Sequence, residues 1–345
     1  MATSSISGFS ITLFITVPFF CLFFACSQEQ PRQNISPDKN YPRWLKNDSY
    51  RTEQTSGITF LRRSKDGSEE FLLADDVGNI HRFFIKDDTV FNFMKIDFSI
   101  DVVNYLKDFP KPDFEEIVYD KYTSDVYITI EGNKENHIDF HGVYKLEFEG
   151  DDVFQNSVTK IEKIKFTPEK TFYKNLNKNT GYEGLAVDKN YFYIGLEAVL
   201  TPEKSFSGST NILVANKKSL DIVKEISTES LGITTVCGLY CDENFSLWGI
   251  DRNQKKVFKL KLDEYFNIVE LNFFEIRTVI PDFHQYEYAG SLESITFSPG
   301  KKLYIVDDPW KEQFNPPVEI LRKLDKNTVE NFRNVVPMIY KYSLE

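Results

Sequence analysis

Cysteine is scarce in this sequence, with four among 345 residues. Cys21 and Cys26 lie in an apolar N-terminal segment, whereas Cys237 and Cys241 lie four residues apart further along the chain. On one strand that spacing separates the last two by about 13 Å, which is too far for a disulfide. The sequence has no cysteine pair of metal-binding spacing, so zinc lacks support. We expect Cys237 and Cys241 to be small buried apolar side chains.

Other motifs are missing as well. There is no Gly-x-Ser-x-Gly elbow and no glycine-rich phosphate loop, so serine hydrolases and nucleotide enzymes lack support. His137 and His141 are four residues apart without the glutamate of a metalloprotease motif, and we interpret them as loop residues. The net charge is −11 and no basic patch stands out, so we expect no nucleic-acid partner. An acidic balance suits cation binding or solubility.

The first 26 residues contain no charge, and residues 9–25 form an apolar run broken only by Ser10, Thr12, Thr16 and Pro18. This run ends in Ala25-Cys26 and is followed by a polar stretch, so it resembles a bacterial lipoprotein signal in which Cys26 is acylated. An uncleaved signal anchor is the alternative, because about 17 residues can just span a bilayer. Both interpretations place the protein in the cell envelope, at the bacterial outer membrane or in the periplasm. We therefore expect the protein to be attached to the membrane through this anchor.

A short apolar strand recurs five times, at intervals of about 60 residues. The aligned apolar residues of these copies are Ile58, Ile117, Leu185, Leu239 and Ile295. Each copy is followed by a turn and by a second strand that ends in an acid. These acids are Asp75, Glu131, Glu197, Asp251 and Asp307.

Two further strands complete each unit. Third strands are predicted at 80–85, 143–148, 211–214, 257–262 and 320–324, and fourth strands at 90–98, 158–166, 220–226, 268–276 and 335–342. The inner strands are continuously apolar and the outer ones alternate, as expected for buried and half-buried strands. The repeat therefore predicts an all-β fold, a single β-propeller of five four-stranded blades, with room for a sixth in the connectors. We divide the chain into a signal peptide (1–26), a tether (27–51) and the propeller (52–345).

The repeated segments resemble the esterase-like phytase domain family over residues 50–345. The segments that carry the resemblance are 56–58 with 74–76, 113–117 with 130–132, 179–188 with 193–197, and 292–295 with 306–308. The family's Glu-Gly-Ile pattern has Glu116 and Ser294 in place of glycine, and Cys237 stands where an acid is expected. The resemblance implies a propeller fold and hydrolysis of phosphate or carboxylic esters.

In a propeller, the start of the inner strand and the end of the second strand lie near the central channel. Seven acids are therefore expected around one opening: Glu115, Glu183, Glu293, Glu131, Glu197, Asp251 and Asp307. Carboxylates at such short distances repel one another unless a cation lies among them, and a site with several oxygen ligands favours calcium. The structural alternative is that these acids accept backbone N–H bonds at turns and hold blades together. Arg252, Lys255 and Lys256 follow the fourth acid and are placed to meet an anionic substrate, but we expect them to be exposed turn charges.

Two functions remain open from the sequence. One is a calcium-assisted ester or phosphoester hydrolase of the envelope, in which a calcium ion polarises the ester for attack by water. The other is a non-catalytic propeller that binds a small-molecule, phosphorylated or protein ligand. Because propellers host many functions, the fold alone does not choose between them.

Overall fold

Five antiparallel sheets arranged around a channel make up the protein, as the computed structural model shows for residues 33–132, 137–309 and 315–344. Each sheet contains four antiparallel strands, and two of the sheets gain a short fifth strand in parallel. The predicted all-β propeller is therefore confirmed, and the blade count is five. No helix among these residues is long and apolar enough to cross a membrane.

Two N-terminal strands precede the first blade, β1 (Gln33–Ile35) and β2 (Arg43–Trp44). Blade 1 contains β3 (Thr55–Arg63), β4 (Glu69–Asp75), β5 (Asn79–Lys86) and β6 (Val90–Lys95). Blade 2 contains β7 (Asp97–Phe98), β8 (Asp113–Asp120), β9 (Asp125–Glu131), β10 (Gly142–Phe148) and β11 (Ser157–Lys163). Blade 3 contains β12 (Tyr182–Val187), β13 (Tyr191–Leu196), β14 (Asn211–Asn216) and β15 (Ile222–Ser227). Blade 4 contains β16 (Leu239–Cys241), β17 (Ser246–Asp251), β18 (Lys256–Leu262) and β19 (Ile268–Ile276), a hairpin of β20 (Val279–Ile280) and β21 (Phe283–Glu287) follows, and blade 5 contains β22 (Leu292–Ser298), β23 (Lys302–Asp307) and β24 (Met338–Ser343).

Short helices lie in the connectors. They are α1 (Ile100–Leu106), α2 (His137–Phe140), α3 (Glu169–Phe172), α4 (Val318–Leu321) and α5 (Lys326–Arg333), with 3-10 turns at Glu149–Asp151 and Glu229–Leu231. The side chain of Asp325 begins α5 by accepting hydrogen bonds from the amides of Asn327 (2.8 Å) and Thr328 (3.0 Å).

The inner strands β3, β8, β12, β16 and β22 contact one another in turn, and β22 contacts β3, which closes the ring. Blade 5 is completed by the N-terminus, because β2 pairs with β24 as the fourth strand. This differs from the prediction in two ways. Residues 320–324, predicted as a third strand, overlap α4, and the segment predicted as the fourth strand contains the third. A strand from the far end of the chain supplies the missing edge, which no local pattern can indicate.

The N-terminal strands also extend the propeller into the segment expected to be a tether. Strand β1 adds to blade 4 in parallel with β19, and Tyr41 and Leu45 beside β2 are fully buried. Residues from Gln33 onward therefore belong to the packed domain, and the pairing of β2 with β24 joins the two ends of the described chain in blade 5.

The core lies between neighbouring sheets. Strand β4 is buried along its whole length because both of its faces meet other sheets. Phe71 of this strand packs against Phe83 of its own blade and Tyr304 of blade 5, with ring centroids 5.9 Å and 5.0 Å away. Each aromatic side chain buried in this way contributes about 2–3 kcal/mol. Cys237 is buried, Cys241 is half-buried, and neither is in a disulfide.

Candidate functional site: an acidic ring at one end of the channel

The acidic side chains are aimed at the channel by irregular strand pairing. The ladders of β3/β4, β8/β9, β12/β13 and β22/β23 each shift register near the start of the inner strand. The residues left out of the regular ladder there include Glu115, Glu183 and Glu293. Bulges of this kind re-aim side chains near functional sites. All these bulges lie at the same end of the propeller, so their side chains converge.

Five of the seven predicted acids come together there. Three overlapping groups each place one ligand atom per residue within 4.8 Å of the others. The groups are Asp113–Glu115–Glu131, Glu131–Glu183–Glu197 and Glu183–Cys237–Glu293. We call the set Asp113, Glu115, Glu131, Glu183, Glu197, Cys237, Glu293, Arg252 and Asp308 the acidic ring.

Asp251 and Asp307 lie outside this ring. The carboxylate of Asp251 accepts hydrogen bonds from the Thr234 amide (2.7 Å) and hydroxyl (2.8 Å) and from the Thr235 hydroxyl (3.1 Å). That of Asp307 accepts from the Met338 amide and the Tyr288 hydroxyl. Both acids therefore hold loops and strands together, as the structural alternative expects.

Asp251 and Asp307 miss the ring because the strand register differs by one residue from the predicted one. Ile128, Ile194, Gly249 and Ile305 pair with the aligned apolar residues of the inner strands. Three positions further on lie Glu131, Glu197, Arg252 and Asp308. Because side chains alternate along a strand, a slip of one residue moves a side chain to the other face. Equivalent positions thus hold Arg252 and Asp308, not Asp251 and Asp307.

Arg252 neutralises one half of the ring. Its guanidinium forms ion pairs with Glu197 and Glu293, and Nη2 lies 3.8 Å from Glu183 Oε2. Only 23% of its side chain is exposed, so the expectation of an exposed turn charge was wrong. An arginine held by three carboxylates takes the place that a cation would otherwise fill in this half.

The other half has more acid than base. Lys111 Nζ lies 2.5 Å from Asp113 Oδ1 and also pairs with Asp76, but no cation contacts Glu115 or Glu131 among the described residues. Glu131 Oε1, Glu183 Oε2 and Asp308 Oδ1 are buried and accept no hydrogen bond from the described part of the chain. Buried carboxylate oxygens without a donor are costly, so these atoms indicate a missing partner.

The ring's pKa values agree with this imbalance. Burial, followed by repulsion from neighbouring carboxylates, raises the pKa of Glu115, Glu131 and Glu183 well above its usual range. Burial also raises the pKa of Glu197 and Glu293, although Arg252 opposes that rise. Burial and Glu293 raise the pKa of Asp308 to about 7. A cation among these groups would favour their ionised forms.

Glu116 closes the channel below the ring. The equivalent positions of three other inner strands hold glycine, and a Cβ at Gly57 would lie 2.8 Å from the Ile117 nitrogen. Glu116 alone extends into this narrow part, where Oε1 accepts hydrogen bonds from the Ser294 hydroxyl (2.5 Å) and the Ile117 amide (3.0 Å). Glu116 and Ser294, the two residues that replace glycine in the Glu-Gly-Ile pattern, are therefore hydrogen-bonded to each other across the channel.

His141 supports the ring from behind. Its Nδ1 accepts a hydrogen bond from the Gly132 amide (3.3 Å), its Nε2 lies 3.1 Å from the Asn177 carbonyl oxygen, and the side chain is fully buried. As expected, His141 is a loop residue between α2 and β10, and its contact with Gly132 fixes the end of β9. The backbone of His137, also expected in a loop, begins α2 instead. The side chain of His137 lies outside the described residues.

No family model and no curated protein matches the chain. Similar solved structures include a PQQ-bound aldose sugar dehydrogenase from Streptomyces coelicolor, 12% identical with a TM-score of 0.45, covering 90% of this chain and 100% of that one. A luciferin-regenerating enzyme is 12% identical with a TM-score of 0.41, covering 88% and 96%. A GH43_1 enzyme from Xanthomonas citri is 6% identical with a TM-score of 0.49, covering 88% and 89%. At these values none of them assigns an activity to this chain, and the resemblance to the esterase-like phytase family stays a prediction.

Proposed function

We propose that the acidic ring binds a divalent cation, with calcium as the best candidate, and uses it to hydrolyse an ester or phosphoester. The observation that carries the proposal is a pair of buried carboxylate oxygens, Glu131 Oε1 and Glu183 Oε2, that accept no hydrogen bond from the residues the structure describes. Both belong to one group of three acids whose ligand atoms lie within 4.8 Å of one another. Clustered hard oxygen ligands favour calcium over softer metals.

The fit differs between the halves of the ring. Asp113, Glu115 and Glu131 offer oxygens that Arg252 does not contact, so this half suits calcium best. The half with Glu183, Cys237 and Glu293 suits calcium less, because Arg252 already contacts both of its glutamates and Cys237 offers sulfur. A calcium ion bound there would polarise a phosphoryl or carbonyl oxygen.

The chain's own residues would then have distinct roles. Asp113, Glu115 and Glu131 hold the cation, while Lys111, one third exposed at the edge of the ring, meets the negative charge of a phosphorylated substrate. Asp308 offers a carboxylate oxygen that accepts no hydrogen bond from the described residues, and could take the proton of an attacking water.

The second candidate is a propeller that binds a ligand without turnover. The engagement of Arg252 favours it, because a guanidinium held by three glutamates is poorly available to a substrate anion. In this case the ring and its cation would hold the blades together or bind an anionic group through the metal.

Two measurements on residues 27–345 test the proposal. Calcium should raise the melting temperature, because a ligand that binds only the folded state stabilises it. Glu131→Gln should weaken this response, whereas Glu243→Gln, at the opposite end of the channel, should leave it unchanged. No calcium shift in the wild type would remove the metal site. Turnover of chromogenic phosphate and acetate esters, with calcium and with chelator, then separates the two functions, since a binding module shows a calcium shift and no turnover.

The location of the protein is a separate proposal. We propose that Cys26, which lies outside the described residues, is acylated and anchors the propeller in the cell envelope, on the sequence pattern given above. Cys26→Ala should abolish incorporation of labelled fatty acid and release the protein from membranes. Continued labelling of that variant would refute the lipoprotein interpretation.

A further inference from the structure

The opposite end of the channel contains a cavity of about 740 Å³. The inner strands end there, and residues two positions after the aligned apolar residues, among them Phe60, Tyr119 and Phe297, line it. Small-molecule sites commonly have volumes of about 300–1,000 Å³, so the cavity is large enough for a ligand. The acidic ring and Glu116 lie at the other end of the same strands, so this is a different site.

Aromatic side chains form a wall between blades 4 and 5. The ring of Trp248 stacks on Phe274 at 5.3 Å and packs against Phe297 at 5.0 Å, and Tyr240 lies 5.1 Å from Phe297. Trp248 Nε1 donates a hydrogen bond to Asp242 Oδ2 (2.9 Å), which fixes the indole in place. Trp248 itself is buried, whereas Tyr240 and Phe297 are half-buried and line the cavity. Aromatic side chains held rigidly in a concave wall suit the face of a planar apolar ligand.

The acids of this cavity have partners already. Asp188 accepts hydrogen bonds from the amides of Asn190 (2.6 Å) and Tyr191 (2.7 Å) and from the Tyr193 hydroxyl (2.9 Å). Asp242 accepts from two turn amides as well as from Trp248. Glu243 is 2.8 Å from Lys121 Nζ. These contacts satisfy the hydrogen-bonding capacity of the acids, although Asp188 and Asp242 keep their negative charge because their donors are neutral.

Two lysines of the same wall lack such partners. Lys259 Nζ lies 4.9 Å from the centre of the Trp248 ring, and neither Lys259 nor Lys301 has a carboxylate within 4.0 Å among the described residues. The wall contains three lysines, Lys121, Lys259 and Lys301, and three acids, so its formal charges balance. In the described part of the chain the acids already accept hydrogen bonds or an ion pair, whereas the ammonium groups of Lys259 and Lys301 keep free N–H donors beside the aromatic wall. Free cationic donors favour a ligand with an anionic acceptor group.

We propose that this cavity binds a small organic anion with a planar aromatic body, such as an aromatic carboxylate or sulfonate. The planar body lies against Tyr240 and Phe297, in front of the buried Trp248, and the anionic group reaches Lys259 and Lys301. Such charge-assisted contacts in a partly buried site are stronger than neutral ones and give the site its selectivity.

The test uses 8-anilinonaphthalene-1-sulfonate as the probe, with residues 27–345 in which Trp44 and Trp310 are replaced by Phe. Trp248 is then the sole tryptophan, since the sequence contains three. We expect saturable binding of one probe per chain, with quenching of Trp248. Lys259→Gln combined with Lys301→Gln should weaken binding at least about tenfold, because each lost contact is to a charged group.

Three controls make the outcome decisive. Lys261→Gln, on the same strand but outside the cavity, should leave the affinity unchanged. Chelator should leave it unchanged too, which separates this cavity from the acidic ring. A neutral probe, N-phenyl-1-naphthylamine, should bind at least about tenfold more weakly for the same reason. Equal binding of the two probes, equal affinity of the Lys259/Lys301 variant, or no quenching of Trp248 would each overturn the proposal, provided that circular dichroism shows the variants folded.

Discussion

The two ends of the channel are built from the same five strands and yet have opposite chemistry. At the acidic ring the inner strands are in contact, and five glutamates share a buried space with Arg252. At the other end, called the wide end below, the strands enclose a cavity of about 740 Å³ with an aromatic wall. Lys259 and Lys301 of this cavity form no ion pair with the described residues. The chemistry of each end thus depends on which residues the turns and bulges present there, and not on the repeat that both ends share.

The difference also concerns coupling between charges. In the acidic ring the side chains are buried, so removal of one charge changes the environment of every other. At the wide end Lys259, Lys301 and Glu243 are at least partly exposed to water, which screens them from one another. Removal of one charge should therefore change the free energy of unfolding more at the acidic ring than at the wide end.

The largest effect is expected for Arg252→Met. This change removes the cation that Glu183, Glu197 and Glu293 share, and buried charges left without a partner typically cost about 3–5 kcal/mol. Urea denaturation at pH 7.5, followed by circular dichroism, measures the free energy of unfolding. Lys259→Met removes a cation at the wide end and should cost less than about 1 kcal/mol. Equal losses in the two variants would contradict the difference in coupling.

A smaller effect is expected where the two ends are separated. Glu116→Ala leaves the Ser294 hydroxyl and the Ile117 amide without their acceptor and opens a cavity, which we expect to cost about 2 kcal/mol. Glu116→Gln keeps the volume and an acceptor oxygen, so its loss should be smaller. If the alanine variant unfolds at the same urea concentration as the glutamine variant, Glu116 does not seal the channel by these contacts.

The smallest effect is a change in pH dependence. Because Glu131 has a folded pKa above its unfolded value, its stabilising contribution is full below the unfolded pKa and is lost as the pH rises towards the folded one. The pKa of Asp308 is raised to about 7, so its stabilising contribution is likewise lost as the pH rises towards 7. In calcium-free buffer the free energy of unfolding should therefore fall between pH 5 and pH 7.5. Glu131→Gln should reduce this fall by about 1 kcal/mol, the value of about one pKa unit.

Exposed acids provide the comparison for that measurement. Glu264→Gln, in the exposed turn before β19, should have the same pH dependence as the wild type, and saturating calcium should flatten the wild-type curve. A fall in stability that persists unchanged in Glu131→Gln would show that other groups cause it.

Local patterns were enough to find the inner strands. The aligned residues from Ile58 to Ile295 all lie on the innermost strands, because apolar periodicity and turn residues are properties of neighbouring positions in the chain. Glu115, Glu183 and Glu293 were found for the same reason, since they lie next to those residues. The sequence by itself therefore determined the five repeats, the strand order within most blades and one side of the acidic ring, while the structure excluded a sixth blade among the described residues.

Only the tertiary structure decided the rest. The fourth strand of blade 5 comes from Arg43–Trp44, far away in the chain, and the bulges near the channel set the register that brings in Arg252 and Asp308 in place of Asp251 and Asp307. Acidic residues end several second strands, so their presence could not show which of two adjacent positions faces the channel. That choice depends on backbone pairing between strands, and a shift of one residue turns a side chain from the site to a structural contact.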